Sequence, residues 1–271
     1  MPREKINLNI DVSTTVVQAR EVKLPFLKCE AFVDVMQKGE DDSQELEPVR
    51  GWIEVEVRDS KGEVVQSGKH RMHSLLNNFL RVLDGEARAR GGAALSTYGT
   101  ITSATVTGLD GLSKTIAIEW YSSRYSGGGT TIATNAGDND ASYGIIVGSG
   151  TDPVDLNNYK LSSPIPHGTG AGQLDYDAMS VVDLGLDTSV SPPVYRIRLI
   201  RGFKNLSGGD VTINEVGLVA CNFWEDFDAN RNPYINYDVK FLIARDVLPQ
   251  SYVVPSGGSA TVAITVEVVM G

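Results

Sequence analysis

Cysteine and histidine are scarce in this sequence, two and three residues respectively, and each shortage closes off a class of chemistry. Cys29 and Cys221 stand far apart with no CxxC pair, so neither a disulfide framework nor a paired-cysteine metal knuckle is expected. They read as two core thiols, small buried hydrophobes, with a single Cys29–Cys221 disulfide left open. His70 and His73 fall where a strand gives way to a helix. A zinc site there needs two further ligands that the sequence does not nominate, so surface or capping roles are expected. His167 lies in Pro164-Ile-Pro-His-Gly-Thr-Gly170, whose composition turn geometry explains.

Long apolar runs are also missing. No stretch of 18 apolar residues exists, so no membrane insertion is expected, and Met1-Pro-Arg-Glu-Lys-Ile-Asn7 lacks the apolar core of a signal peptide. Synthesis and folding in a cytoplasm are the expectation, and Asn205-Leu-Ser207 then matches the N-glycosylation pattern by chance. Positive charge is in deficit: the formal net charge is −10, which opposes nucleic acid and anionic lipid as partners. The basic series Arg196, Arg198, Arg201 and Lys204 reads as an outer, salt-bridged strand face, with Arg196 and Arg198 opposite Tyr195, Ile197 and Leu199.

The glycine-rich stretches carry neither GxxxxGK[ST] nor GxGxxG spacing, and no GxSxG elbow surrounds Ser149. Nucleotide-binding and hydrolase chemistry lose their usual anchors, and no enzyme activity is expected. One spacing remains: Asp226-Phe-Asp228-Ala-Asn230-Arg-Asn232 sets alternate oxygens that suit Ca²⁺, making Asp226, Asp228, Asn230 and Asn232 a candidate metal set. An EF-hand places Gly sixth and Glu twelfth, where this run has Arg231 and Tyr237, so a polar loop with Asx turns is the plainer expectation. No other cofactor is expected.

What is present is β-sheet patterning. At 41% hydrophobic with 28 glycines, the composition is that of a globular, turn-rich chain. Ile6-Asn-Leu-Asn-Ile10 alternates with period two, and residues 1–28 read as an N-terminal β arm that pairs inside the domain or on a neighbouring subunit. Glu30 to Met36 reads as another strand, followed by an acidic loop to Pro48. Trp52 to Arg58 alternates again, Asp59-Ser-Lys-Gly62 supplies a turn, and Glu63 to Gln66 returns as a hairpin. Leu75, Leu76, Phe79, Leu80, Val82 and Leu83 then form a stripe at helical spacing, with Ser74 as N-cap and Asp84-Gly85 as stop. Residues 91–137 form a Gly/Ser-rich insertion whose Trp120, Tyr121 and Tyr125, near Gly127-Gly-Gly129, could make a recognition tip. Strands are expected at Val194 to Phe203, Val211 to Ala220, Val239 to Leu248 and Ala260 to Val269. The predicted fold is all-β, an antiparallel β-sandwich (jelly-roll-like or Ig-like) over 29–271 with one short helix near 74–84.

Phe203-Lys-Asn-Leu-Ser-Gly-Gly-Asp-Val-Thr-Ile-Asn-Glu-Val-Gly-Leu218, Phe241 to Leu248 and Val254-Pro-Ser-Gly-Gly-Ser-Ala-Thr-Val262 resemble a module of structural proteins of tailed bacteriophages and related archaeal viruses. Gly144-Ile-Ile-Val-Gly-Ser-Gly-Thr-Asp-Pro153 and Tyr159-Lys-Leu-Ser-Ser-Pro-Ile165 look like the segment that often precedes it. With Ser74 to Leu83, the resemblance covers about half the chain. It implies a non-enzymatic virion component whose partners are copies of itself and other virion proteins. A tail or tail-tip accessory is favoured; the alternatives are a head (capsid) decoration protein and a receptor- or carbohydrate-binding module that meets a host surface receptor. Within the module, Arg245 and Glu215 are expected to pair at a strand edge or across a subunit boundary, and Gly217 to permit close approach of a neighbour.

Overall fold

The computed structural model describes residues 49–88, 102–118, 130–227 and 233–270. The N-terminal arm 1–28 and the strand expected at Glu30 to Met36 lie outside them. Twelve strands and one helix are present among the described residues: β1 (Val49–Arg58), β2 (Val64–Met72), α1 (Asn77–Arg88), β3 (Thr102–Thr107), β4 (Ser113–Ile118), β5 (Thr130–Ala133), β6 (Gly144–Gly148), β7 (Asp175–Tyr176), β8 (Ser180–Asp187), β9 (Val194–Lys204), β10 (Val211–Phe227), β11 (Pro233–Val254) and β12 (Ser259–Val269). The architecture is all-β and every ladder between named strands is antiparallel.

The β1–β2 hairpin forms where its alternation and turn chemistry coincide. Ile53, Val55 and Val57 are buried on one face of β1. At the turn, Asp59 Oδ1 accepts from the Lys61 and Glu63 amides at 2.8 and 3.0 Å, and Gly62 takes a left-handed φ of 83°. β1 also pairs with β12, and β12 with β9, giving a sheet ordered β2-β1-β12-β9 with β7 and β8 both on the outer edge of β9. A second sheet runs β11-β10, with β5 and β6 sharing the far edge of β10. The two sheets contribute to one core, in which Ile53, Val55, Val262 and Ile264 meet Ile145, Val147, Ile213 and Val219. A smaller cluster joins the β3–β4 hairpin to the second sheet through Val106, Ile116 and Phe241, with Val82 of α1 against it.

The helix is displaced from the expected 74–84. Residues before Asn77 are held by the second sheet: Leu75 bridges to Ala244, and the Leu76 amide donates to Ile243 O at 2.9 Å. Ser74 is therefore outside the first turn. Asp84-Gly85 does not stop the helix either, because Gly85 is buried within it and packing outweighs the ~1 kcal/mol propensity loss of an interior glycine. β10 and β11 run past their expected ends, and register shifts at Ile213/Glu215, Leu218/Val219 and Trp224/Glu225 interrupt their pairing.

Candidate functional site

Two arginines, Arg201 and Arg245, are buried among the described residues, and each ties a loop to a sheet. Arg245 on β11 and Glu215 on β10 pair through Nε to Oε2 at 2.8 Å, with side chains 1% and 0% exposed. The pair lies inside one chain, between two paired strands, with Arg245 on β11 at the edge of the second sheet's order. β10 is flanked by β11 on one side and by β6 on the other, so Glu215 sits mid-sheet.

Neither ion is satisfied by its partner alone, as burial of charge requires. Glu215 Oε1 accepts from the Ser163 amide at 2.8 Å and the Gly150 amide at 3.2 Å, and Oε2 from the Ser162 amide at 3.1 Å. Arg245 donates to Asn158 Oδ1 at 2.8 Å, to Asp152 O at 2.9 Å and to Pro153 O at 3.2 Å. The irregular chain between β6 and Ile165 is thus fastened from below by one carboxylate and one guanidinium. A depression of about 220 Å³ opens over this node, lined in part by Asp152, Asp155, Asn158, Lys160 and Arg245. Gly217 has the role expected of it: a Cβ there would lie 2.8 Å from Leu161 Cδ2 and 3.0 Å from Leu242 Cδ1.

Arg201 corrects the expected basic face. It lies on the same side of β9 as Leu199 and Phe203 and is 0% exposed. Its guanidinium donates only to backbone oxygens: Asp177, Tyr143, Ile145, Gly137 and Asp140. The cation lies 4.8 Å from the Tyr176 ring centroid. Burial lowers its pKa, with Tyr176 and Asp140 opposing the shift. The other three basic residues form the salt-bridged face: Arg196 with Asp187 and Glu267, each at 2.7 Å, Arg198 with Glu54, and Lys204 with Asp177. The odd position of Arg201 in the alternation was the signal that separates it.

The three histidines do not converge. His70 hydrogen-bonds the Tyr252 hydroxyl, which also accepts from Gln250 Nε2 at 2.8 Å. The His73 amide donates to Asp246 Oδ1 at 2.9 Å, and its Nδ1 lies 3.7 Å from the same oxygen. Asp246 is 4% exposed, its Oδ2 has no hydrogen-bond partner, and burial raises its pKa. His167 Nδ1 accepts from the Tyr176 amide at 3.2 Å and lies 3.5 Å from Asp175. Asn205, of the glycosylation pattern, is buried, and its amide donates to Gly209 O and Val254 O.

The remaining candidates lie outside the described residues: Trp120, Tyr121 and Tyr125 of the recognition tip, Asp228, Asn230 and Asn232 of the calcium set, and Cys29. Asp226 is on β10, paired in register with Tyr234. Cys221 is buried. Among the described residues, no group of three or more His, Cys, Asp or Glu side chains converges as a metal site, and no helix is long and apolar enough to cross a membrane. Comparison with family models, with curated proteins and with solved structures finds no match to this chain.

Proposed function

We propose that the chain is a non-enzymatic structural protein of a virus particle, a tail or tail-tip accessory that assembles as a symmetric homo-oligomer and contacts other virion proteins. The observation that carries this reading is the meeting of two separate stretches at Glu215 and Arg245. The first resembling stretch supplies Gly150, Asp152, Pro153, Ser162 and Ser163; the second supplies Glu215 and Arg245. Segments far apart in sequence that carry the resemblance are thus held together by one buried pair. A loop bound by charge-assisted hydrogen bonds on both sides is stiff, which suits a part that bears load and repeats one interface around an axis.

The test has two arms. Light scattering on the 271-residue chain is expected to give twice the 29.2 kDa chain mass or a higher whole multiple of it. Gold-labelled antibody against the chain is expected to decorate purified particles at the tail end. A monomer in solution together with unlabelled particles would sink the proposal. Label confined to the head would overturn the tail placement.

A further inference from the structure

The core face of the six-stranded sheet is covered along most of its length and bare at one end. In the row Ile53, Ile264 and Leu199, the side chains are 1%, 1% and 9% exposed. The next two rows on that face are Gly51-Val266-Ile197 and Val49-Val268-Tyr195-Leu186, and here Ile197 is 40%, Val268 37% and Leu186 53% exposed. β8 continues the bare end: Val181 is 49% exposed beside buried Leu199, and Val182 and Leu184 are exposed as well. Among the described strands, β8 pairs with β9 alone. An edge strand rich in aliphatic side chains is a pairing template that a protein ordinarily covers.

Register points to what covers it. Val49, the first residue of β1, shares its row with Leu186, three strand spacings and ~14 Å away. Val49, where the described chain begins, therefore stands at the bare end of the sheet. Extended, residues 29–48 reach ~65 Å, ample to return residues 1–28 to β8. In that arm, Ile6, Leu8 and Ile10 alternate with Asn7 and Asn9, the pattern of a strand with one apolar and one wet face. Charge agrees: β8 carries Asp183 and Asp187 and no basic residue of its own, Asp187 being paired with Arg196 of β9, whereas residues 1–28 hold Arg3, Lys5, Arg20, Lys23 and Lys28 against Glu4, Asp11 and Glu21. A second copy of β8 would bring no basic side chain to these carboxylates.

We propose that residues 1–28 dock on β8 of their own chain, with Ile6–Val12 added as a further antiparallel or parallel strand and Ile6, Leu8 and Ile10 closing the bare apolar end. The proposal stands apart from the virion assignment and survives its failure. Amide hydrogen exchange on the full chain tests it. In the unaltered protein the amides of Val181 to Leu186 are expected to be protected; in the Ile6→Asp/Leu8→Asp variant their exchange is expected to speed at least tenfold, with β1 and β12 unchanged. Fast exchange of β8 in the unaltered chain, or equal β8 exchange in both proteins, overturns the proposal. So does β8 protection that grows with protein concentration, because the occupant is then another copy.

Discussion

Arg245 Nε stands 2.8 Å from Glu215 Oε2 with both side chains sealed from solvent, and each ion also holds the chain between Gly150 and Ser163. Removing one partner strands the other. Glu215→Ala leaves a buried cation and three amides without their acceptor, and is expected to cost about 3–5 kcal/mol. Glu215→Ala/Arg245→Met is expected to cost clearly less than the sum of its two single changes. Urea unfolding of the four proteins measures the coupling, and strict additivity would show that the pair does not act as a unit.

Gly148 ends β6 where the loop turns back over Glu215. A Cβ there would lie 2.7 Å from Ser163 O, a backbone atom, and 2.5 Å from Glu215 Oε1. Gly148→Ala is therefore expected to destabilise by about 1–3 kcal/mol, through displacement of a bound backbone. Exchange at the Ser149 and Ser163 amides should quicken, since Ser149 donates to Ser163 O at 2.8 Å and Ser163 to Glu215. Unaltered exchange at both would contradict this.

Tyr176 links stability to alkaline pH. Burial pushes its phenol up to about 12, against the lowering effects of the Val147 amide and the Arg201 charge. Its hydroxyl donates to Ile165 O at 2.6 Å. The unfolded phenol, near 10, releases its proton first, so stability falls as pH rises from about 10 to about 12. Tyr176→Phe is expected to cost about 1 kcal/mol below pH 10 and to narrow that gap above it. A gap constant from pH 8 to 12 would count against the assignment.

Asp246 carries a liability of the same sign, beginning at lower pH. Burial raises its pKa, so the folded state holds this proton more tightly than the unfolded one. Stability is then lost as pH rises from the unfolded value, about 3.9, through the folded one. Asp246→Asn keeps an acceptor for the His73 amide and removes the charge. Thermal melts are expected to show the variant gaining on the parent protein with rising pH; parallel curves from pH 4 to 8 would disprove the burial effect.

Sequence legibility followed the strength of local signals. The β1–β2 hairpin was readable because alternation from Trp52 to Arg58 and the Asp59–Gly62 turn agree. β8 was not read at all: Leu184 is the extra residue of a bulge at Asp183/Gly185, which breaks period two, and exposure on both faces leaves no burial rhythm. The helical stripe is legible but its start is not, because the contacts of Leu75 and Leu76 with β11 are tertiary. At the site, the Glu215–Arg245 pairing was foreseen from charge and placement, but its burial depends on chain far away in sequence. Arg201 was hidden by company, one arginine among four basic residues, and only its parity along β9 set it apart.

The position of β12 has a consequence in time. The last described strand is inserted between β1 and β9, so β1 has only β2 for a neighbour until the chain has been made nearly to Val269. Contacts between such distant positions form late and slowly. During synthesis the row Ile53, Val55 and Val57 waits beside an open edge, and the first sheet closes as a final step, when its middle arrives.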